Sequence, residues 1–212
     1  MSWIANYLFS PKCICCGQLG ELLCERCCNR IHPFQCAELD EIEQCWAASD
    51  YGSPLRDAVL AYKSGHKEFG SVLATALGRV IRAMQSQFRS HPLFFDEVVA
   101  IPSSKVKIAE RGFDTIGEVA NKVAQTFGVC HIRALRLLHD VQDQVGLKPQ
   151  ERLRNRKNAF CPMKEVSPRI LLIDDVVTTG ATVMAAAEAL KIAGAQKIFV
   201  VSVCRTLGRS TV

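Results

Sequence analysis

The sequence contains no apolar run long enough to cross a membrane, since no segment approaches the roughly 18 apolar residues that a spanning helix requires. It also has no internal repeat and no low-complexity segment, so a repeat architecture is not expected. Hydrophobic residues make up 49% of the 212 positions and charged residues 22%, a balance typical of a soluble globular protein rather than a disordered chain. This length leaves room for one medium domain and a small appendage.

The amino terminus, MSWIANYLFSPKC, lacks the basic region and the small-residue cleavage site of a secretory signal peptide. We therefore expect a cytoplasmic protein. Eight of the eleven cysteines lie before residue 46, and the other three are scattered along the rest of the chain. An odd number of cysteines without a secretion signal argues against a disulfide framework and favours a metal site.

The charged residues are also distributed unevenly on the two sides of residue 45. Residues 1–45 contain three basic and six acidic residues, whereas the remainder contains 23 basic and 15 acidic ones. A basic body is typical of a protein with a polyanionic partner or a phosphate-rich ligand, although an ordinary solvated surface gives the same composition. We therefore predict a cysteine-rich head of residues 1–45, followed by one domain of residues 46–212.

Two C-x-x-C pairs separated by seven residues stand in the head, namely Cys13 with Cys16 and Cys24 with Cys27. Each pair can present two thiolates to one ion at about 2.3 Å, and two pairs complete a tetrahedron. Four thiolates leave no open coordination position, so we predict a structural zinc ion on which folding of the head depends. A redox C-x-x-C motif and an iron–sulfur cluster are the rival interpretations. The alternative ligands nearby are Cys15, Cys28, His32 and Cys36.

Hydrophobic periodicity in the body predicts strands alternating with helices. The predicted helices span 54–63, 69–88, 116–127 and 181–193, and the predicted strands span 95–102, 170–173 and 198–203. Ser53 with Pro54 marks a helix start and Gly128 a helix end, while residues 29–50 are interpreted as an acidic connector. Alternating elements of this kind imply an α/β fold, a parallel twisted sheet flanked by helices.

The stretch RILLIDDVVTTGAT, residues 169–182, ends an apolar strand with two adjacent carboxylates, Asp174 and Asp175. Ligands of an open parallel sheet bind beyond the carboxyl ends of its strands. The following turn enters a helix, whose unpaired N–H groups and dipole favour an anion. The predicted phosphate cradle consists of Thr178, Thr179, Gly180, Ala181 and Thr182. Since the two acids can accept hydrogen bonds from vicinal sugar hydroxyls, the predicted ligand is a ribose 5-phosphate.

This stretch resembles the motif with which type I phosphoribosyltransferases bind 5-phosphoribosyl 1-pyrophosphate (PRPP). In those enzymes the acids hold the ribose hydroxyls and the loop holds the 5-phosphate, so the resemblance implies their fold, PRPP and Mg²⁺. It disfavours hypoxanthine or guanine salvage, because enzymes of that class carry an acid where this chain has Thr178. A P-loop is excluded because no Gly-Lys-Ser/Thr follows, and a phosphatase-type nucleophile would have its acids one residue apart.

Most of the chain resembles the ComF/GntX group, in which a zinc-knuckle head is fused to such a domain. The matching segments are the cysteine pairs, Tyr51–Lys63, Glu110–Phe113, Gln144–Leu147, Glu151–Arg152 with Asn155, and the PRPP motif. The resemblance implies a role in competence for DNA uptake and does not name an acceptor. The sequence departs from the group at Asp114, where asparagine is expected, and within Ile101–Ser104, where a second proline is usual.

Phosphoribosyl transfer displaces pyrophosphate from C1 through an oxocarbenium-like state, so it needs cations on the leaving group. Type I enzymes place a pyrophosphate loop after an earlier strand, and Ser103 and Ser104 occupy that position here. The cations predicted to act on pyrophosphate are Lys105 and Arg111, with Lys107 and Lys63 nearby. A solvated basic surface is the alternative interpretation.

A basic cluster at residues 152–157 precedes the PRPP strand and is consistent with contacts to the phosphates of single-stranded DNA, or with an ordinary surface helix end. Two functions follow. The first is a PRPP-binding phosphoribosyltransferase-type protein with an unknown acceptor. The second is a non-catalytic adaptor that binds PRPP or single-stranded DNA and works with other DNA-uptake proteins. The oligomeric state is left open.

Overall fold

A computed structural model describes residues 10–88, 94–138 and 159–206, and a six-stranded sheet lies at its centre. The strands are β1 (Phe34–Gln35), β2 (Gln44–Asp50), β3 (Glu97–Ala100), β4 (Cys130–Ile132), β5 (Leu135–Leu137), β6 (Phe160–Pro162), β7 (Arg169–Val177) and β8 (Lys197–Arg205). The central sheet has the order β1-β2-β8-β7-β3-β4, in which β1 is antiparallel to β2 and the other neighbours are parallel. Strands β5 and β6 form a separate antiparallel pair.

The helices are α1 (Glu25–Cys28), α2 (Pro54–Lys63), α3 (Phe69–Gln85), α4 (Lys105–Arg111), α5 (Thr115–Phe127) and α6 (Ala181–Ile192). The predicted signals fall at the predicted ends, since Ser53 is the N-cap of α2 and Gly128, with φ of 69°, is the C-cap of α5. Helix α4 was not predicted. It begins after Ser104, whose hydroxyl accepts a hydrogen bond from the Lys107 amide at 3.3 Å.

Strand β7 shows how helices cover both faces of the sheet. Its residues Leu171 and Ile173 pack with α2, α3 and α5 on one face, while Ile170 and Leu172 pack with α6 and the β5–β6 pair on the other. All four side chains are fully buried, and burial of each contributes roughly 1.5–3 kcal/mol. Because both faces are covered, the strand is a continuous apolar run. The predicted parallel α/β architecture is confirmed.

Several predicted boundaries differ from the observed ones. Strand β7 does not stop at residue 173, because its pairing with β8 continues to Val177 opposite Arg205. Strand β2 falls inside the predicted connector; its sequence QCWAASD has no β-branched residue, and parallel pairing with β8 outweighs that weak propensity. Helix α3 ends at Gln85 rather than residue 88, and β3 covers only the middle of the predicted 95–102 strand.

The head contributes directly to the sheet, since β1 precedes residue 45 and β2 begins at Gln44. The division of the chain at residue 45 stays a prediction. None of the helices in the described ranges has both the length and the apolar character needed to span a bilayer.

Candidate functional site

The carboxyl ends of β3 and β7 border a cavity of about 590 Å³. These two parallel strands are neighbours, but the next strand after β3 is β4 on one side, whereas the next strand after β7 is β8 on the other. The connections therefore leave in opposite directions and open a crevice, which is where open α/β sheets bind ligands. The polar lining residues are Lys63, Ser103, Ser104, Lys107, Arg111, Asp174, Asp175, Thr178, Thr179 and Thr182.

Most of the site residues predicted from the sequence line this cavity, including the acid pair (Asp174 and Asp175), both serines, Arg111, Ala181 and the three threonines. Gly180 joins the threonines to the first turn of α6 as its N-cap. Lys105 does not line the cavity. Lys107 and Arg111 are four residues apart and share one face of α4, whereas Lys105 is exposed elsewhere on that helix. The catalytic role of Lys105 stays a prediction.

The two acids have different partners. The Oδ2 atom of Asp175 lies 2.6 Å from Nζ of Lys63, so that carboxylate is neutralised by an ion pair. The Oδ1 atom of Asp174 accepts a hydrogen bond of 2.8 Å from the Asp175 amide. Burial, and then the charge of Asp175, raise the pKa of Asp174 to about 7, against the opposing effects of that hydrogen bond and of Lys63. The free site therefore holds one paired carboxylate and one carboxyl that binds a proton more readily than an ordinary aspartate.

Lys63 is held in place by the last turn of α2. The adjacent Tyr62 is buried, its hydroxyl donates a hydrogen bond to Glu118 of α5 at 3.1 Å, and its ring packs edge-on against Phe113 at 5.1 Å. The ammonium group of Lys67 lies over the Phe113 ring, 4.7 Å from its centre. These contacts fix the end of α2, from which Lys63 reaches into the cavity beside the acid pair.

The 178–182 loop turns sharply into α6 at Gly180. Its φ of 84° lies in the left-handed region, which side chains other than glycine rarely adopt. A Cβ atom at this position would also lie 2.6 Å from Cδ2 of Leu39, a residue of the head. The Thr179 hydroxyl accepts a hydrogen bond from the Ala181 amide at 3.4 Å. The turn therefore needs glycine for its conformation, and Leu39 of the head packs directly on the loop.

Asp114, where the sequence departs from the ComF/GntX pattern, is the N-cap of α5. Its Oδ1 atom accepts a hydrogen bond of 3.2 Å from the Gly117 amide, and it is not one of the residues that line the cavity. Asparagine and aspartate cap helices about equally well. The departure therefore keeps the local structure that an asparagine would give.

The four predicted metal ligands come together in the head. The sulfur atoms of Cys13, Cys16, Cys24 and Cys27 all lie within 4.8 Å of one another, and Cys16 Sγ lies 3.7 Å from Cys24 Sγ. Sulfurs on a tetrahedron with metal–sulfur distances of about 2.3 Å are about 3.8 Å apart, so the geometry fits zinc. Burial opposes ionisation of Cys13, but amide hydrogen bonds led by that of Cys24 outweigh it and lower its pKa to about 6. Among the described residues, no other group of three such ligands is as compact.

Apart from Ala181, the apolar wall of the cavity was not predicted. The unpredicted residues are Ile101, Pro102, Ile116, Leu137, Ala159, Phe160 and Ala185. These residues come from distant parts of the chain, and each reads in the sequence as an ordinary core residue, so no local pattern marks them. The predicted segments at residues 144–147 and 151–157, including the basic cluster, lie outside the described residues.

Comparison with known proteins gives two kinds of relative. No family model matches the chain. The DNA utilization protein YhgH of Salmonella typhimurium is 29% identical over 206 residues, covering 93% of this chain and 84% of that protein. The competence protein ComFC of Streptococcus pneumoniae is 28% identical over 194 residues, covering 89% and 83%.

Among solved structures, that of the allosteric regulatory enzyme of purine biosynthesis aligns with 59% of this chain and 24% of its own, at 18% identity and a TM-score of 0.38. The curated relatives confirm the resemblance to the ComF group.

Proposed function

We propose that this chain, a relative of the ComF group, binds PRPP with Mg²⁺ and is a phosphoribosyltransferase-type protein that serves DNA uptake. The acid pair holds the ribose hydroxyls, and the 178–182 loop with the first turn of α6 holds the 5-phosphate. The acceptor is unknown. The names of the relatives, a DNA utilization protein and a competence protein, support the biological role.

One observation carries the ligand proposal, namely that a single cavity joins two carboxylates, a hydroxyl-rich helix start and a facing cationic wall. A phosphate is favoured at the helix start by unpaired N–H groups and by the dipole. Ribose hydroxyls donate hydrogen bonds, which the carboxylates can only accept. PRPP has a phosphate at one end, hydroxyls in the middle and pyrophosphate at the other end, and the cavity lining contains a partner for each of these groups.

In the free site Asp175 is engaged by an ion pair, and we propose that ligand binding exchanges its partners. Lys63 leaves its 2.6 Å contact so that both oxygens of Asp175 can accept ribose hydroxyls. Lys63 lines the same cavity and can turn toward the negative pyrophosphate. The exchange replaces one charge-assisted contact by two others and therefore does not strand a buried charge.

Transfer would break the bond between C1 and the pyrophosphate oxygen, and the electron pair would leave with pyrophosphate while the acceptor bonds to C1. Lys107 and Arg111 on the facing wall would stabilise the charge that develops on the leaving group. The many carboxylate and hydroxyl oxygens of the cavity suit a hard cation. When bound, Mg²⁺ would neutralise further charge on pyrophosphate.

The head is proposed to hold one structural zinc ion between Cys13, Cys16, Cys24 and Cys27. Four thiolates fill its coordination sphere and leave no position for substrate. Metal analysis of the purified protein should give about one zinc per chain. A protein that is folded and free of metal would contradict the assignment.

The test of the ligand proposal is calorimetry with PRPP, ribose 5-phosphate and pyrophosphate, each with Mg²⁺. We expect PRPP to bind more tightly than ribose 5-phosphate. Lys107→Ala should weaken PRPP but not ribose 5-phosphate, because only PRPP carries pyrophosphate. Lys122→Ala, at an exposed lysine of α5 that does not line the cavity, is the matched control and should change neither affinity.

Turnover is tested separately by release of pyrophosphate with a panel of nucleobases and amines as acceptors. Release that depends on an acceptor identifies a transferase. Tight PRPP binding without release for any acceptor would instead favour the non-catalytic adaptor. Failure to bind PRPP would overturn the transferase and leave only an adaptor that binds single-stranded DNA.

A further inference from the structure

Two cysteines outside the metal cluster face each other where β1 meets β2. The antiparallel register sets Phe34 opposite Ala47 and Gln35 opposite Trp46, so one further residue sets Cys36 opposite Cys45. The Cys36 amide donates a hydrogen bond to the Cys45 carbonyl at 2.7 Å, which confirms this pairing. Facing residues of an antiparallel ladder have Cα atoms about 4.5–5.5 Å apart, inside the range of 4.4–6.8 Å that disulfides span.

The two thiols are not equivalent. Cys45 is buried at 3% exposure, while Cys36 is half-buried and can be reached from solvent. Hydrogen bonding from Cys45 lowers the pKa of Cys36, and the positive charge of Arg205 lowers it further. Burial raises this pKa but does not outweigh the two other effects. The pKa of Cys45 is raised by the same hydrogen bond and by burial. Cys36 is therefore the better nucleophile and Cys45 the protected partner.

Arg205, the last residue of β8, lies close enough to both cysteines to influence their pKa values. Its Nη1 atom is buried and has no hydrogen-bond partner in the described part of the chain. A buried N–H group without an acceptor is costly, so a thiolate next to it is favoured. Neither cysteine is in a disulfide, and neither belongs to the four-sulfur cluster.

We propose that Cys36 and Cys45 form a redox-active dithiol that closes to a disulfide by exchange with a low-molecular-weight disulfide. The Cys36 thiolate attacks one sulfur of the small disulfide, so that a mixed disulfide forms and one small thiolate leaves. The Cys45 thiol then loses its proton and attacks the Cys36 sulfur, which releases the second small thiol. The two cysteines lose two electrons and the small disulfide gains them.

The location links this pair to the cavity. The bond would close residues 36–45 into a ring, and that ring contains Leu39, which packs on Gly180 of the 178–182 loop. Oxidation would therefore tie together the two ends of the 36–45 segment, which contacts the 178–182 loop through Leu39. The dithiol itself does not depend on the proposed PRPP function, since it rests only on the strand register and on Arg205.

The experiment exposes the full-length, zinc-loaded protein to oxidised glutathione, blocks the remaining thiols by alkylation and maps peptides without reduction. We expect a peptide that links Cys36 to Cys45, with a mass lower by two hydrogen atoms. Cys45→Ser should instead accumulate glutathione on Cys36, whereas Cys36→Ser should leave Cys45 unmodified. Cys130→Ser, at an exposed cysteine on the opposite edge of the sheet, is the control and should form the link normally.

Arg205→Gln should slow the first exchange several-fold, because less of Cys36 is then thiolate. A wild-type map without the Cys36–Cys45 peptide, or with oxidation confined to the four clustered cysteines, would overturn the proposal. Glutathione on Cys45 in preference to Cys36 would overturn the assigned roles. The wild-type map decides the main point even where a serine variant does not fold.

Discussion

Strand β7 carries an ion pair at each end, and the two pairs differ in what surrounds them. At the amino end, Arg169 pairs with Asp96, and at the carboxyl end Lys63 pairs with Asp175. Asp96 also accepts a hydrogen bond of 3.1 Å from the Arg169 amide, and its contact with Arg169 lowers its pKa. Beside Asp175 stands a second acid, Asp174, whose pKa burial raises to about 7.

The difference separates a structural pair from a ligand site. The Asp96 carboxylate accepts hydrogen bonds from Arg169, the first residue of β7. Because Asp96 directly precedes β3, this contact links the two strands. The acid pair lies in a cavity, and of its two carboxylates Asp175 forms an ion pair with Lys63, whereas Asp174 forms none with the described residues. Adjacent acids of this kind reduce stability unless a ligand supplies donors for both. We interpret the carboxyl end of β7 as the end that binds the ligand.

The largest expected effect is on ligand affinity. Asp174→Asn combined with Asp175→Asn should weaken PRPP binding on the order of 100-fold or more, because each lost hydrogen bond to a charged group contributes roughly 1.5–3 kcal/mol. Asp96→Asn removes a carboxylate at the other end of the strand and should leave the affinity within about twofold. Calorimetric titration of both proteins checks the comparison. Equal losses in the two would contradict it.

Affinity should also depend on pH. A carboxyl that must accept ribose hydroxyls is needed in its ionised form, and Asp174 in the free protein has a pKa of about 7. Affinity should therefore fall by up to about tenfold per pH unit as the pH is lowered below 7, with a proton released on binding. Titrations in buffers of different ionisation enthalpy measure that proton. Asp174→Asn should be flatter over the same range, and an unchanged profile would refute the role of Asp174.

Loss of the ion pair between Arg169 and Asp96 should lower the stability of the fold rather than the affinity for ligand. Asp96→Asn should lower the free energy of unfolding by about 1 kcal/mol, which corresponds to roughly 2–4 °C in a chain of this size. The pKa of Asp96 is lowered in the folded protein, so its contribution is present above the ordinary carboxyl pKa and is lost as the pH falls through the folded value. Thermal melts at pH 7 and pH 3 measure it. The difference between wild type and variant should be larger at pH 7.

Asp174 should have the opposite effect on stability. Its pKa is raised in the folded state, so the protein without ligand loses stability as the pH rises from about 4 toward about 7 and then stays at that level. Asp174→Asn should therefore melt at a higher temperature than wild type at pH 8, with a smaller gain at pH 5. A variant that is less stable than wild type at pH 8 would show that Asp174 supports the fold.

Sequence reasoning found the parts of the site that are contiguous in the chain. The acid pair and the 178–182 loop could be predicted because strand, acids and helix start follow one another within 14 residues. The four clustered cysteines could be predicted for the same reason. Local spacing is sufficient where the ligands of a site belong to one supersecondary unit.

Features made by long-range packing were missed or only partly predicted. Strand β2 has weak strand propensity and exists because it pairs with β8, about 150 residues later. The short helix α4 was missed, although Ser104 and Gly112 mark its two ends in the sequence. The contact of Leu39 with Gly180 and the facing of Cys36 and Cys45 depend on the hairpin register, which no local pattern specifies.

The most direct test of the central claim is an experimental structure of the protein with PRPP and Mg²⁺. The account predicts that the ribose hydroxyls lie within hydrogen-bond distance of Asp174 and Asp175, that the 5-phosphate lies on the 178–182 loop, and that the contact between Lys63 and Asp175 is broken. A ligand whose phosphate lies elsewhere, with Lys63 still paired to Asp175, would contradict it.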